Sequence, residues 1–173
     1  MLVYLSLGAN LGNREQTIDK AVQLLSEQIG PLIKRSSFFY SKPWGFDSPN
    51  DFCNLCASFN TSLSPLDLLH ATQSIERQLG RTHKTQISIP SDRALGLRNL
   101  KSQIPNYADR PIDIDIIRAF DDDGTEIKCQ ISNDKSPILN LKSQMSNAPL
   151  LSLPHPLWQK RDFVKVPLEE IMQ

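Results

Sequence analysis

The chain lacks most of the features that settle a protein's class at a glance. Its 173 residues include only three cysteines, Cys53, Cys56 and Cys129, too few for a disulfide scaffold. Cys53 and Cys56 form a Cys-x-x-Cys, but in a strand such a pair points to opposite faces, which argues against zinc or redox use. No apolar run approaches the ~20 residues needed to span a bilayer, and the first residues alternate like a strand instead of forming a cleavable leader. A soluble, cytoplasmic chain is therefore expected. Neither charge dominates: 19 basic and 19 acidic side chains give a formal net charge of zero. Global attraction to nucleic acid or to an anionic membrane is thereby excluded, and any anion must be bound by a local cluster. The familiar nucleotide fingerprints are also missing. The turn Gly8-Ala9-Asn10-Leu11-Gly12-Asn13-Arg14 has neither Gly-x-Gly-x-x-Gly nor a Gly-Lys-Ser/Thr ending, and is read as a tight connection able to touch a ligand. Asp121-Asp122-Asp123-Gly124 lacks the ligand spacing of an EF-hand and reads as a turn.

What the chain does have is the run Asp109-Arg110-Pro111-Ile112-Asp113-Ile114-Asp115-Ile116-Ile117. Side chains alternate across a strand, so Ile112, Ile114 and Ile116 enter a core while Asp113 and Asp115 project together from the other face. Like charges held so close repel, and a hard divalent cation with oxygen ligands, Mg²⁺ accompanied by phosphate, relieves them. Taken alone, the pair also fits a solvated edge strand.

Residues 2 to 8 form a first strand, with Val3, Leu5 and Leu7 on one side and Tyr4 and Ser6 on the other. Ile18, Ala21, Val22, Leu25 and Ile29 have helical spacing, ended by Gly30-Pro31. A second strand is expected over 33 to 41, an irregular loop from Pro43-Trp44-Gly45, and a third strand from Phe52 to about Thr61. In that third strand Cys53, Leu55, Ala57 and Phe59 make the apolar face, leaving Phe52 and Asn54 on the side of Asp113 and Asp115. Ser64-Pro65-Leu66-Asp67 starts a second helix that runs to about Leu79, with Leu68, Ala71, Thr72, Ile75 and Leu79 buried. Leu69, Gln73 and Glu76 form a neighbouring stripe, either a half-exposed flank or the border of a site. The order strand, helix, strand, strand, helix, strand predicts a single α+β domain over 1–173 with the ferredoxin-like split βαβ pattern. In it an antiparallel sheet carries both helices on one face and leaves the other for a ligand. Residues 82 to 109, with Lys84, Arg93, Arg98 and Lys101, are either a basic lid or a solvated insertion, and residues 121 to 149 a polar excursion.

With these residues placed, the chain resembles the 6-hydroxymethyl-7,8-dihydropterin pyrophosphokinase family, which transfers pyrophosphate from ATP to a pterin alcohol in folate biosynthesis. The pieces occur in the family's order: Ser6 to Gly12, Ser37 to Gly45, Phe52 to Asn54, Gln73 to Arg81, Arg110 to Asp115, Leu153-Pro154-His155-Pro156, and Arg161 to Ile171. The resemblance implies that Asp113 and Asp115 hold two Mg²⁺ ions between the ATP phosphates and the substrate hydroxyl, and that Arg81 and Arg110 stabilise charge at the transferred group. It implies ATP contacts at Leu69, Gln73, Glu76, Arg110, His155 and Arg161, with His155 binding and not acting as a base. Pterin contacts are implied at Pro43, Trp44, Phe52, Asn54, Asp113 and Phe163, although Trp44 and Phe163 alone would equally suit core packing. Tyr107, His83, Phe52 and Lys165 depart from the residues frequent in the family. Two other readings are a pyrophosphokinase domain of a fused or associated folate-pathway enzyme, and a non-catalytic ferredoxin-like binding module. The latter should lack part of the Asp and Arg set, which here is complete.

Overall fold

The computed structural model describes residues 1–81, 108–131 and 151–173. Within them the order is β1 (Leu2–Ala9), α1 (Arg14–Gln28), β2 (Leu32–Arg35), β3 (Phe39–Ser41), β4 (Phe52–Asn60), α2 (Pro65–Gln78), β5 (Asp113–Phe120), β6 (Cys129–Ile131), β7 (Leu151–Leu153) and α3 (Asp162–Ile171). A 3-10 turn at Trp158–Lys160 precedes the last helix. The main sheet has the order β2–β4–β1–β5, with β3 also paired to β4, and every pairing is antiparallel. β6 and β7 form a separate antiparallel pair. The architecture is thus α+β.

Alternation divides the sheet into two differently used faces. Val3, Leu5 and Leu7 of β1, Cys53, Leu55, Ala57 and Phe59 of β4, and Ile112, Ile114 and Ile116 in and beside β5 meet Ile18, Ala21, Val22 and Leu25 of α1 and Leu68, Leu69 and Ile75 of α2. Asn13 caps α1 by accepting from the Gln16 N–H at 3.2 Å, and Ser64 caps α2 by accepting from the Asp67 N–H at 3.2 Å. A cap contributes about 1 kcal/mol. Burying one large apolar side chain contributes roughly 1.5–3 kcal/mol, so the packed stripes, more than the caps, hold these helices to the sheet.

The opposite face is shared. Tyr4, Cys56 and Ile117 pack under Val164, Leu168 and Ile171 of α3, so a third helix covers the part of this face away from the acids. The sequence predicts both helices on one face with the other left for ligand; α3 corrects this expectation, because Val164, Leu168 and Ile171 have helical spacing that Lys165 and Pro167 disguise. A second difference lies in the strand expected over 33 to 41, which breaks between β2 and β3. There Ser36 receives the Cys56 N–H on Oγ at 3.0 Å and donates its own N–H to the Cys56 carbonyl at 2.9 Å. A third is a bulge opposite Tyr4 and Leu5, which adds Ile117 to β5 and sends it under α3 while Ile116 remains with the first core.

The Asp121–Gly124 segment is a turn in which Asp121 Oδ1 accepts from the N–H groups of Asp123 and Thr125 at 3.1 and 2.8 Å. His83, Tyr107, the basic positions expected in a lid, and the excursion beyond Ile131 fall outside the described residues. Among the described residues no helix is long and apolar enough to cross a membrane.

Gly30, between α1 and β2, has φ +134°, and a Cβ there would lie 2.1 Å from the Asn60 carbonyl oxygen. Gly30→Ala should therefore lower stability by about 1–3 kcal/mol or more, read as a fall in the urea midpoint. An unchanged midpoint would contradict this account of the turn.

Candidate functional site

The uncovered part of the second face forms the floor of a pocket of about 250 Å³. Cross-strand register builds that floor in rows. Asn54 of β4, Gly8 of β1 and Asp113 of β5 lie side by side, and Ser6 and Asp115 form the next row, whose third member, Cys56, is covered by α3. Gly8 suits this place: an added Cβ would lie 3.0 Å from Asn54 Oδ1, a tight contact, and 3.7 Å from the Phe52 ring, so glycine keeps the floor low between the amide and the acids.

At one end the two carboxylates face three guanidinium groups. Arg81 Nη1 donates to Asp113 Oδ1 and, at 2.5 Å, to Glu76 Oε1; Glu76, itself 2% exposed, also accepts the Ile114 N–H at 2.9 Å. Burial alone would depress the Arg81 pKa, but the charges of Asp113 and Glu76 outweigh it and raise it. Arg110 Nη2 stands 3.3 Å from Asp113 Oδ2, and Arg161 Nη1 stands 3.9 Å from Asp115 Oδ2. Burial first, and the Asp113 charge second, push the Asp115 carboxyl up to about 7 against the pull of Arg161 and Arg110. Two acids that resist ionising together are what a hard cation would relieve. Among the described residues no cluster of three or more metal-ligating side chains occurs, so a cation here would complete its shell from water or a bound ligand.

His155 lies beside the arginines. Its pKa is pushed down to about 4, by burial first and Arg161 second, and its Nδ1 accepts the Leu157 N–H at 3.2 Å. The neutral ring therefore carries its proton on Nε2, as a donor.

The other end is aromatic. Phe52 meets Phe46 edge-on at 6.2 Å, the Arg110 guanidinium lies 5.4 Å from the Phe52 ring centre, and Arg161 sits over both Trp44 at 4.7 Å and Phe163 at 5.9 Å. Asn54 spends both amide hydrogens inside the protein, on the Phe39 carbonyl at 3.1 Å and Ser41 Oγ at 3.0 Å. What it shows to the pocket is Oδ1.

The pocket brings together Trp44, Phe52, Asn54, Arg81, Arg110, Asp113, Asp115, His155, Arg161 and Phe163, drawn from six separate stretches of sequence. Leu69, Gln73, Glu76 and Pro43 are not in its lining. Leu69 is 5% exposed within the first core, and Glu76 acts on the pocket through Arg81. Ser41, Lys42 and Phe46 line it without having been singled out. Ser41 was hidden by the strand break, which decides the face that residue takes; Lys42 and Phe46 belong to an irregular loop with no periodicity to read.

The sequence model of the 7,8-dihydro-6-hydroxymethylpterin-pyrophosphokinase (HPPK) family matches residues 4–173. A curated 2-amino-4-hydroxy-6-hydroxymethyldihydropteridine pyrophosphokinase of Porphyromonas gingivalis is 36% identical over 170 residues, 98% of this chain and 90% of that one. Its counterpart of the same name from Aquifex aeolicus is 31% identical over 169 residues, 98% of this chain and 79% of that one. Among solved structures, an HPPK-DHPS determined in complex with substrates superposes with a TM-score of 0.56 at 14% identity, covering 99% of this chain and 40% of that chain.

The raised Asp115 pKa makes a prediction with a definite sign. Between the ordinary aspartate value of about 4 and about 7 the folded metal-free protein holds a proton that the unfolded chain has released. Stability should therefore fall as pH rises through that window, by an amount moderated by solvent because the Asp115 side chain is 37% exposed. Urea melts of wild type and Asp115→Asn from pH 4 to 8 isolate the effect: the substitution should flatten the slope, and a wild-type advantage that grows with pH would overturn the assignment.

Proposed function

This chain belongs to the 7,8-dihydro-6-hydroxymethylpterin-pyrophosphokinase family, and from that premise we propose that its pocket transfers the pyrophosphoryl group of ATP to 6-hydroxymethyl-7,8-dihydropterin in folate biosynthesis. The observation that carries the reading is the direct junction, on one sheet face, of an acid-and-arginine end with an aromatic end. The first suits phosphates and the second a flat heterocycle. The pterin hydroxyl oxygen attacks the β-phosphorus, the bond from that phosphorus to the α–β bridging oxygen breaks, AMP leaves, and the hydroxyl proton passes to water.

Asp113 and Asp115 would hold Mg²⁺, and we assign two ions to the pair. When bound, the metal neutralises phosphate charge and aligns the reacting oxygens. Arg81 and Arg110, both already at Asp113, bind the phosphate oxygens where charge builds during transfer, their planar forks suiting two oxygens at once. His155 donates its Nε2 proton to a phosphate oxygen, and Arg161 binds beside it. His155 is too weakly basic to serve as a general base at neutral pH. Rate enhancement is therefore assigned to electrostatics and orientation. Phe52 and Phe163 stack against the pterin, Trp44 and Pro43 close its side, and Asn54 Oδ1 accepts from its amino edge. Leu69 and Gln73 precede Glu76 on α2 and are assigned to the nucleotide's base side.

We read the strand order, with α1 and α2 on one face, as the ferredoxin-like split βαβ arrangement, and residues 1–173 as one pyrophosphokinase domain. A second reading, as the corresponding domain of a fused folate enzyme, is favoured by the likeness to an HPPK-DHPS chain of which this chain covers 40%. The length of the natural open reading frame decides between them.

Incubation with MgATP and the pterin, with AMP and ADP separated by chromatography, tests the reaction: pterin-dependent AMP without ADP is expected, and ADP in its place would refute pyrophosphoryl transfer. Asp113→Ala and Asp115→Ala should each cost at least about a hundredfold in turnover with cooperative unfolding retained. Near-normal activity in both would sink the metal assignment. Gly8→Ala should crowd the Asn54 amide, whose two internal bonds limit how far it can give, and weaken pterin use by about 1–3 kcal/mol in kcat/KM, while leaving the KM for MgATP little changed.

A further inference from the structure

Three chain segments around the pocket meet at one carboxylate. Asp109, immediately before Arg110, accepts from Asn10 Nδ2 at 2.6 Å on Oδ1 and from Asn50 Nδ2 at 2.8 Å on Oδ2. Asn10, in the turn after β1, is 3% exposed and clasps the main chain of Arg110 from both sides. Its Oδ1 accepts the Arg110 N–H at 2.8 Å, and its own N–H donates to the Arg110 carbonyl at 3.2 Å. Asn50 lies at the foot of the 42–51 loop, which carries Trp44 and Phe46 over the aromatic end of the pocket. The same foot is closed by the Lys42–Asp51 ion pair at 2.9 Å and tied to α1 by Arg14 Nη1, which donates to the Asp51 carbonyl at 2.6 Å. Hydrogen bonds from Ser48, Asn50 and Asn10 hold the Asp109 carboxyl below the usual aspartate range. It is therefore charged at neutral pH, and the bonds it receives are of the stronger, charge-assisted kind.

Arg110 is the residue on which the two ends of the pocket converge, with Asp113 at 3.3 Å and the Phe52 ring at 5.4 Å. Its main chain is fixed by Asn10, and Asn50 ties the foot of the aromatic wall toward it, beside the Lys42–Asp51 pair and the Arg14 bond. Among the described residues Asp109 is the one group bonded to both asparagine side chains, and its two short bonds reinforce a longer direct one, in which Asn10 Nδ2 donates to the Asn50 carbonyl at 3.5 Å.

We propose that Asp109 is a positioning residue that locks the aromatic wall of the 42–51 loop to Arg110, so that the seat of the ring and the arginine at the transferred group keep one fixed relation. Its consequence for catalysis rests on the pyrophosphokinase reading above; the lock itself does not. A pin of purely structural value would lower stability without making the effect on kcat depend on Arg110.

The test uses the full chain and two kinds of readout. Amide hydrogen exchange should rise over residues 42–51 in Asp109→Ala, and also in Asn50→Ala, which spares the Asn10 bond and guards against a misfolded Asp109 variant; exchange over β4 should stay as in wild type. In steady-state kinetics Asp109→Ala should lower kcat about tenfold and raise the KM for the pterin, with the KM for MgATP within about twofold. In an Arg110→Ala background the same substitution should change kcat little further. Unchanged exchange over 42–51 in both variants would overturn the lock. Faster exchange with an unaltered kcat, or kcat losses from Asp109→Ala and Arg110→Ala that simply multiply, would overturn the coupling to Arg110. A wild-type protein that makes no pterin-dependent AMP would refute the functional reading instead, and the exchange measurement would still judge the lock.

Discussion

The buried carboxylate of Glu76 joins α2, β5 and the pocket at one point. Buried between α2 and β5, it accepts the Ile114 N–H and the Arg81 guanidinium, and Arg81 passes the connection on to Asp113. A charge removed from water costs several kcal/mol unless it is paired and hydrogen-bonded, so neither Glu76 nor Arg81 can move far without stranding the other. Sliding α2 by one residue along the sheet would break both contacts at once. The apolar stripes hold α2 to the sheet, and the ion cluster adds a directional tie at one point along it. It thereby fixes where the innermost arginine sits against the acids that strand alternation has put on this face of β5.

Much of this was legible because strands carry their faces in the sequence. Ile112, Ile114 and Ile116 against Asp113 and Asp115, and Cys53 and Leu55 against Phe52 and Asn54, are period-two patterns, and each residue went to the face its parity required. What failed to show had no period. The break at Ser36 and the bulge at Ile117 are one-residue irregularities that reverse parity locally, and only the pairing partner reveals them. Helical spacing grouped Leu69, Gln73 and Glu76 correctly on one stripe, but spacing carries no depth. Leu69 and Glu76 are buried and Gln73 is half-buried. The bonds of Asn10 and Asn50 to Asp109 join residues far apart in the chain, through side chains that would suit any turn.

The composition, neutral overall, conceals a strongly charged interior. Three arginines converge on Asp113 and Asp115, with Glu76 behind them, so opposite charges meet within the site itself. Such a cluster stays compact because each group satisfies another. Phosphates and a divalent cation, entering together, would bring their own opposite charges and exchange one set of partners for another. The membrane and nucleic-acid surfaces that excess charge would have indicated are unnecessary to such chemistry.

The pairing of β3 with β4 reaches further than the shape of the sheet. Because Phe39 and Ser41 consume both hydrogens of the Asn54 amide, that group cannot turn over to offer a donor without giving up two internal bonds. On the proposed placement of the ring against Asn54, the pocket would distinguish tautomers. A heterocycle presenting hydrogen at this edge is matched, whereas one presenting a lone pair sets oxygen against it and leaves a desolvated acceptor unsatisfied, a mismatch of about 1–3 kcal/mol. An analogue that copies the ring's outline but reverses its hydrogen-bonding pattern should be refused by strand register, before it meets any residue of the transfer chemistry.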